Sequence, residues 1–152
     1  MWPFRKKKQY LNKAEQDKVV ASIQRAEANT TGELRVFIEG ACTYVDAMDR
    51  AKELFGELGM TETVRRNGVL IYVAVDAHQY AILGDKEIYE QAGGPAFWQK
   101  AADELKAYLQ KGAIGDGLCV CIDELGAALA KYFPYDPEVT KNELPDEIVF
   151  GR

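Results

Sequence analysis

The stretch GVLIYVAV, Gly68 to Val75, is apolar at every position and constrains the fold more than any other segment of the chain. Read as a strand, it sets Val69, Ile71, Val73 and Val75 on one face and Leu70, Tyr72 and Ala74 on the other. A strand with no polar face belongs in the middle of a sheet that is covered on both sides. Helices must therefore lie above and below that sheet. Asp76, Ala77 and His78 then form a short connection to a second run, Tyr80 to Leu83, which predicts a hairpin and an antiparallel neighbour. The hairpin is bracketed by two polar residues, Asn67 and Asp85, that do not belong in a core.

The flanking segments supply the helices. From Leu11 to Thr30, Asn12 and Glu15 are spaced as a capping box ahead of Val19, Val20, Ile23 and Ala26 at helical intervals. ELRVFIE, Glu33 to Glu39, alternates as a half-buried strand would. Asp46 to Gly59 returns to helical spacing, with Met48, Ala51, Leu54, Phe55 and Leu58 on one face and Asp46 as N-cap. After Asp85 the pattern predicts a short helix to about Gln91, a helix opened by Pro95, and a last helix from about Gly117 to Phe133. Pro134 and Pro137 end regular structure. The expected fold is α/β, a three-layer sandwich. Its small mixed central sheet, a parallel pair plus an antiparallel hairpin strand, is flanked by helices on both faces. The expected organisation is a basic N-terminal arm over 1–10, a single domain over 11–134, and a polar, acidic, solvated tail over 135–152.

Composition narrows the function classes. The chain has 152 residues, 47% of them hydrophobic, which suits one domain with a sizeable core. A formal net charge of -5 argues against a general nucleic-acid binder. Three cysteines make no disulfide framework, and no apolar run has transmembrane length. MWPFRKKKQY lacks the apolar core of a secretory signal, so a cytoplasmic location is expected. Trp2 and Phe4 beside Arg5, Lys6, Lys7 and Lys8 would at most graze an anionic membrane weakly through residues 2–8.

The chemistry is defined largely by what is missing. One histidine, His78, excludes a multi-histidine zinc site and makes a Ser/His/Asp triad improbable. There is neither a GxxxxGK[ST] loop nor a GxGxxG after a strand, so no nucleotide cofactor is expected; nor is haem or zinc. Cys119 and Cys121 lie two apart in a helical run and project about 200° apart, which favours core packing over metal binding. Oxygen ligands remain, the chemistry of Ca2+ or Mg2+. The topology offers two alternative sets. Asp46, Asp49 and Asp76 gather where loops follow the carboxyl ends of the parallel strands, and Glu33, Asn67 and Asp85 gather at the opposite edge. Each set has a structural explanation too: Asp46 and Asp85 as helix caps, Asn67 and Asp76 as turn residues.

RNGVLIYVAVDAHQYAILGDKEIYE resembles the TPM-domain family, and the resemblance continues through LNKAEQ, TTGELRVFIE, RAKELFGELGM, GPAFWQKAADEL, IGDGLCVCIDELGAALAKYFP and KNELPDEIV. It spans Leu11 to Val149, and the chain looks like a short, free-standing soluble member. The resemblance implies an α/β sandwich. Relatives include thylakoid-lumen proteins linked to photosystem repair, one described as an acid phosphatase, and an accessory protein of an animal acetylcholine receptor. Some members bind calcium or another divalent ion. Two functions follow as expectations. One is a noncatalytic binding or accessory module with a protein partner, organised by a divalent cation. The other is a metal-assisted phosphomonoester hydrolase in which carboxylates hold the cation. The lack of an evident nucleophile or tuned general base favours the first.

Overall fold

The computed structural model describes residues 10–44, 46–139 and 148–151. The expected membrane contact of residues 2–8 lies outside the described residues. Helix α1 (Lys13–Ala28) opens on a complete capping box: Glu15 N–H donates to the Asn12 side chain at 2.8 Å, and Asn12 N–H donates to the Glu15 carboxylate at 3.0 Å. Strand β1 (Glu33–Glu39), helix α2 (Ala47–Glu57) and strand β2 (Gly68–Ala74) follow, with a 3-10 turn at Met60–Glu62. Strand β3 (Gln79–Gly84) completes the hairpin, and three helices come after it: α3 (Lys86–Gln91), α4 (Pro95–Gln110) and α5 (Ile114–Tyr132). A two-residue strand, β4 (Val149–Phe150), lies in the segment read as tail.

The sheet order is β3-β2-β1-β4, mixed as the sequence predicts: β2 is parallel to β1 and antiparallel to β3. β4 adds a second parallel neighbour to β1, pairing Val149 with Phe37. All seven residues of β2 are buried. Leu34, Val36, Ile38, Val69, Ile71 and Val73 pack on one face against apolar residues of α1, α4 and α5. Phe37, Leu70, Tyr72, Ala74 and Ala81 pack on the other against Ala47, Ala51, Leu54 and Phe55 of α2. These are the three layers.

β1 departs from its expected half-burial, since all seven of its residues are buried, Glu33, Arg35 and Glu39 included. The physical reason is its place between β2 and β4 under α2. Burying Glu39 is tolerated because Arg50 of α2 grips both carboxylate oxygens, at 2.9 and 3.1 Å, and the Tyr72 hydroxyl donates to one of them. Arg50 also lies over the Phe37 ring, 5.7 Å from its centroid. Helix α5 starts at Ile114, three residues before its expected Gly117, and carries Cys121 into the core, where burial raises the thiol pKa. Core packing is therefore the role of that cysteine. No helix among the described residues is long and apolar enough to cross a membrane.

Two glycines test the packing with opposite signs. A Cβ at Gly84 would stand 2.5 Å from the Trp98 ring, so Gly84→Ala should cost about 1–3 kcal/mol by displacing that ring. A Cβ at Gly56, inside α2, meets nothing within 4 Å, so Gly56→Ala should gain about 0.5–1 kcal/mol from helix propensity. Urea unfolding of both variants measures these differences, and equal midpoints would refute the packing assigned to Trp98.

Candidate functional site

Strand register brings the first polar set together. Glu33 is paired with Gly68, and Asp85 N–H donates to Gly68 O at 2.9 Å, so Glu33, Asn67 and Asp85 lie at one edge of the sheet. Asp85 caps α3 through Lys86 N–H at 2.8 Å. Both of its oxygens also accept from Arg66, at 2.7 and 2.8 Å. The sequence reading missed Arg66. Hairpin register is the signal that would have found its neighbourhood, since pairing Gly68 with Asp85 brings the segment just before the strand, Arg66 and Asn67, to that carboxylate. Arg66 holds a left-handed backbone (φ 51), and its carbonyl accepts from Glu87 and Ile88 N–H, fastening the entry of β2 to the start of α3. Asn67 is buried, donating its amide to Thr31 Oγ1 at 3.2 Å.

The members of the second set each have a local setting. Asp46 accepts from Met48 N–H at 2.9 Å as the cap of α2, and Asp49 is exposed in that helix's first turn. Asp76 accepts from the Tyr10 hydroxyl at 2.8 Å. Among the described residues no three His, Cys, Asp or Glu side chains form a group able to hold a metal ion. At the first edge a guanidinium already satisfies the Asp85 carboxylate. The Asp46 and Asp76 carboxylates of the second set are each held by a local partner as well.

A concave feature lies elsewhere, along the edge of β3 that no strand among the described residues covers. A groove of about 770 Å³ straddles that edge. Met48 and Ala81 line it on the α2 side, and Tyr80, Ile82, Tyr89 and Trp98 on the α4 side. Its aromatic wall is fixed: Trp98 stacks on Tyr89 with centroids 5.8 Å apart, donates its indole N–H to Tyr89 O at 3.0 Å, and takes the edge of Phe97 at 5.3 Å. The floor is backbone. Because Gly68 and Asp85 are a hydrogen-bonded pair, alternation makes Leu70/Leu83, Tyr72/Ala81 and Ala74/Gln79 the bonded pairs of the ladder. The N–H and C=O groups of Tyr80 and Ile82 then point outward, away from β2. At one end of the groove the buried Gln79 Oε1 accepts no hydrogen bond from the described residues. The sequence held a signal for this edge, since only helices follow the hairpin in the predicted element order.

One carboxyl titrates near neutrality. Glu124 of α5 is pushed up from 4.5 to about 7, first by burial and then by the hydrogen bond and negative charge of Glu104 on α4, with Lys100 opposing. The folded state therefore holds this proton more tightly than the unfolded chain does. Its stabilising contribution is complete below the unfolded pKa and is lost as pH rises through about 7. Glu124→Gln should flatten the fall in melting temperature between about pH 5 and pH 8; parallel profiles for variant and wild type would refute the assignment. The Arg66–Asp85 link is tested by a double-mutant cycle. Asp85→Ala should cost about 1–3 kcal/mol, and adding Arg66→Ala should cost less than the sum of the two singles, whereas strict additivity would dissolve the link.

Comparison with known proteins agrees with this architecture. The TPM domain family model matches residues 5–128. The BA42 protein from the psychrophilic bacterium Bizionia argentinensis, solved by NMR, is 38% identical with a TM-score of 0.84, over 95% of this chain and 97% of that one. The N-terminal domain of cg2496 from Corynebacterium glutamicum, also a solution structure, shares the fold at 13% identity and a TM-score of 0.64, over 88% of this chain and 82% of that one. No curated protein matches the sequence. With its hairpin bracket, its three layers and a family match over most of its length, this chain belongs to the TPM-domain family.

Proposed function

We propose that this protein is a noncatalytic binding module that takes an extended segment of a partner protein onto the free edge of β3. The observation that carries the reading is the outward-facing backbone of Tyr80 and Ile82 on the floor of the 770 Å³ groove. An incoming strand would satisfy those groups, each hydrogen bond contributing about 0.5–1.5 kcal/mol. Alternate side chains of the segment would fall to either side of the edge, toward Met48 and Ala81 or toward Tyr89 and Trp98. The groove wall holds no serine, threonine, cysteine or lysine, its histidine is the single turn residue His78, the Tyr89 ring is stacked on Trp98, and its Asp46 carboxylate is engaged as a helix cap. These features support binding over phosphomonoester hydrolysis.

A displayed library of random peptides, selected on the full chain, tests this. Selected peptides should slow hydrogen exchange at the Tyr80 and Ile82 amides. N-methylation of the peptide at alternate residues should abolish binding in one phase and spare it in the other. Binders that leave both amides unprotected, or a library that yields no binder, would overturn the reading.

A further inference from the structure

A second cavity, of about 230 Å³, opens beyond the carboxyl end of β2, between that strand and the facing ends of α4 and α5. Val73, Val75, Leu109 and Ile114 make its apolar walls, Lys106, His78 and Tyr80 are its charged and titratable lining residues, and His78, Gln79 and Tyr80 also line the neighbouring groove. We infer that this cavity binds a small carboxylate with an apolar body, such as an arylacetate or a branched short-chain acid.

Size comes first. A cavity of about 150 Å³ lined by aliphatic and aromatic side chains stays dry and takes up benzene, so the larger volume here accommodates one ring with a short acidic arm. Charge selects the anion. Lys106 is exposed and makes no ion pair among the described residues, whereas Lys100 on the same helix pairs with Glu104 at 3.9 Å. The residue one turn on from Lys106 is Gln110, an amide that also lines the cavity, in place of a carboxylate. Asp103, one turn earlier, accepts from Gln99 at 2.9 Å and sets its charge toward the Tyr80 side of the cavity, with no ion pair to Lys106 one turn on among the described residues. Ile114 is the first residue of α5, so the positive end of a 19-residue helix borders the same space. His78, held at φ 53, adds an imidazole where the hairpin turns past the rim. An apolar chamber with an unpaired ammonium, an amide and a helix N-terminus at its border recognises an amphipathic anion. The location agrees with the general preference of open α/β sheets for ligands beyond their carboxyl ends.

Heteronuclear NMR titration of the full chain with phenylacetate, against its neutral isostere phenylacetamide, tests the inference. Phenylacetate should give saturable shifts at Val73–Val75 and at residues 106–114, without matching shifts at Trp98 in the neighbouring groove. It should bind roughly tenfold or more tightly than the amide, about the effect of one charge-assisted hydrogen bond. Lys106→Gln should lower its affinity to that of the amide, and Leu109→Trp should exclude both by filling the chamber. Equal affinities of acid and amide for the wild type, or no saturable shift at millimolar concentration, would overturn it. Either result leaves the strand-addition reading untouched, since that is read from protection of the Tyr80 and Ile82 amides by a peptide and not from carboxylate shifts at 73–75 and 106–114.

Discussion

The burial of β2 on both faces organises everything around it. A strand without a polar side needs two layers of cover, and the chain provides α1, α4 and α5 on one side and α2 on the other. The two layers differ in character. The first is broad and almost wholly apolar, with α5 running through the middle of the cluster. The second is a single helix, and it must also accommodate the charged side chains that β1 carries on that face.

That accommodation shows where electrostatics enters the fold. Glu39 sits in a buried setting because Arg50 and Tyr72 surround its carboxylate, and the raised pKa of Tyr72 reflects burial first and the same carboxylate second. Breaking such a set leaves a stranded charge, so its members depend on one another more than the count of bonds suggests. Asp85 follows a different logic. Its partner Arg66 is nearly half exposed, and the pair works as a clasp at the sheet margin, fixing where β2 begins and where α3 departs.

The layers, the hairpin and the strand directions were legible because they follow from periodicity: two-faced apolarity in GVLIYVAV, helical spacing around Leu54 and Leu105, and a three-residue connection at Asp76. Full burial of β1 was not legible. Its alternating charges look solvent-facing until Arg50, from a different element, supplies the partner. The polar bracket was half legible. Topology placed Asn67 and Asp85 at one edge, but the identity of the group that satisfies Asp85 depends on the left-handed turn at Arg66, which no pattern of side-chain polarity announces. The β3 groove depends on something no segment encodes by itself, namely that nothing later in the described chain pairs with Tyr80 and Ile82.

The pairing of Val149 with Phe37 has a consequence for how the molecule is made. These partners come from opposite ends of the chain, and Gly151 N–H closes the arrangement on Ile38 O at 2.7 Å. During synthesis β1 leaves the ribosome long before β4, and chains emerge at about 5–20 residues per second. For that interval the nascent sheet has two unpaired margins, one beside β3 and one beside β1. The second is closed only by a contact of very high sequence separation, whose loop entropy must be overcome before the contact gives anything back. Glu27, whose carboxylate accepts from Leu34 N–H at 2.9 Å, already occupies part of the β1 margin from the preceding helix. A side chain thus guards the strand while its backbone partner is still being translated.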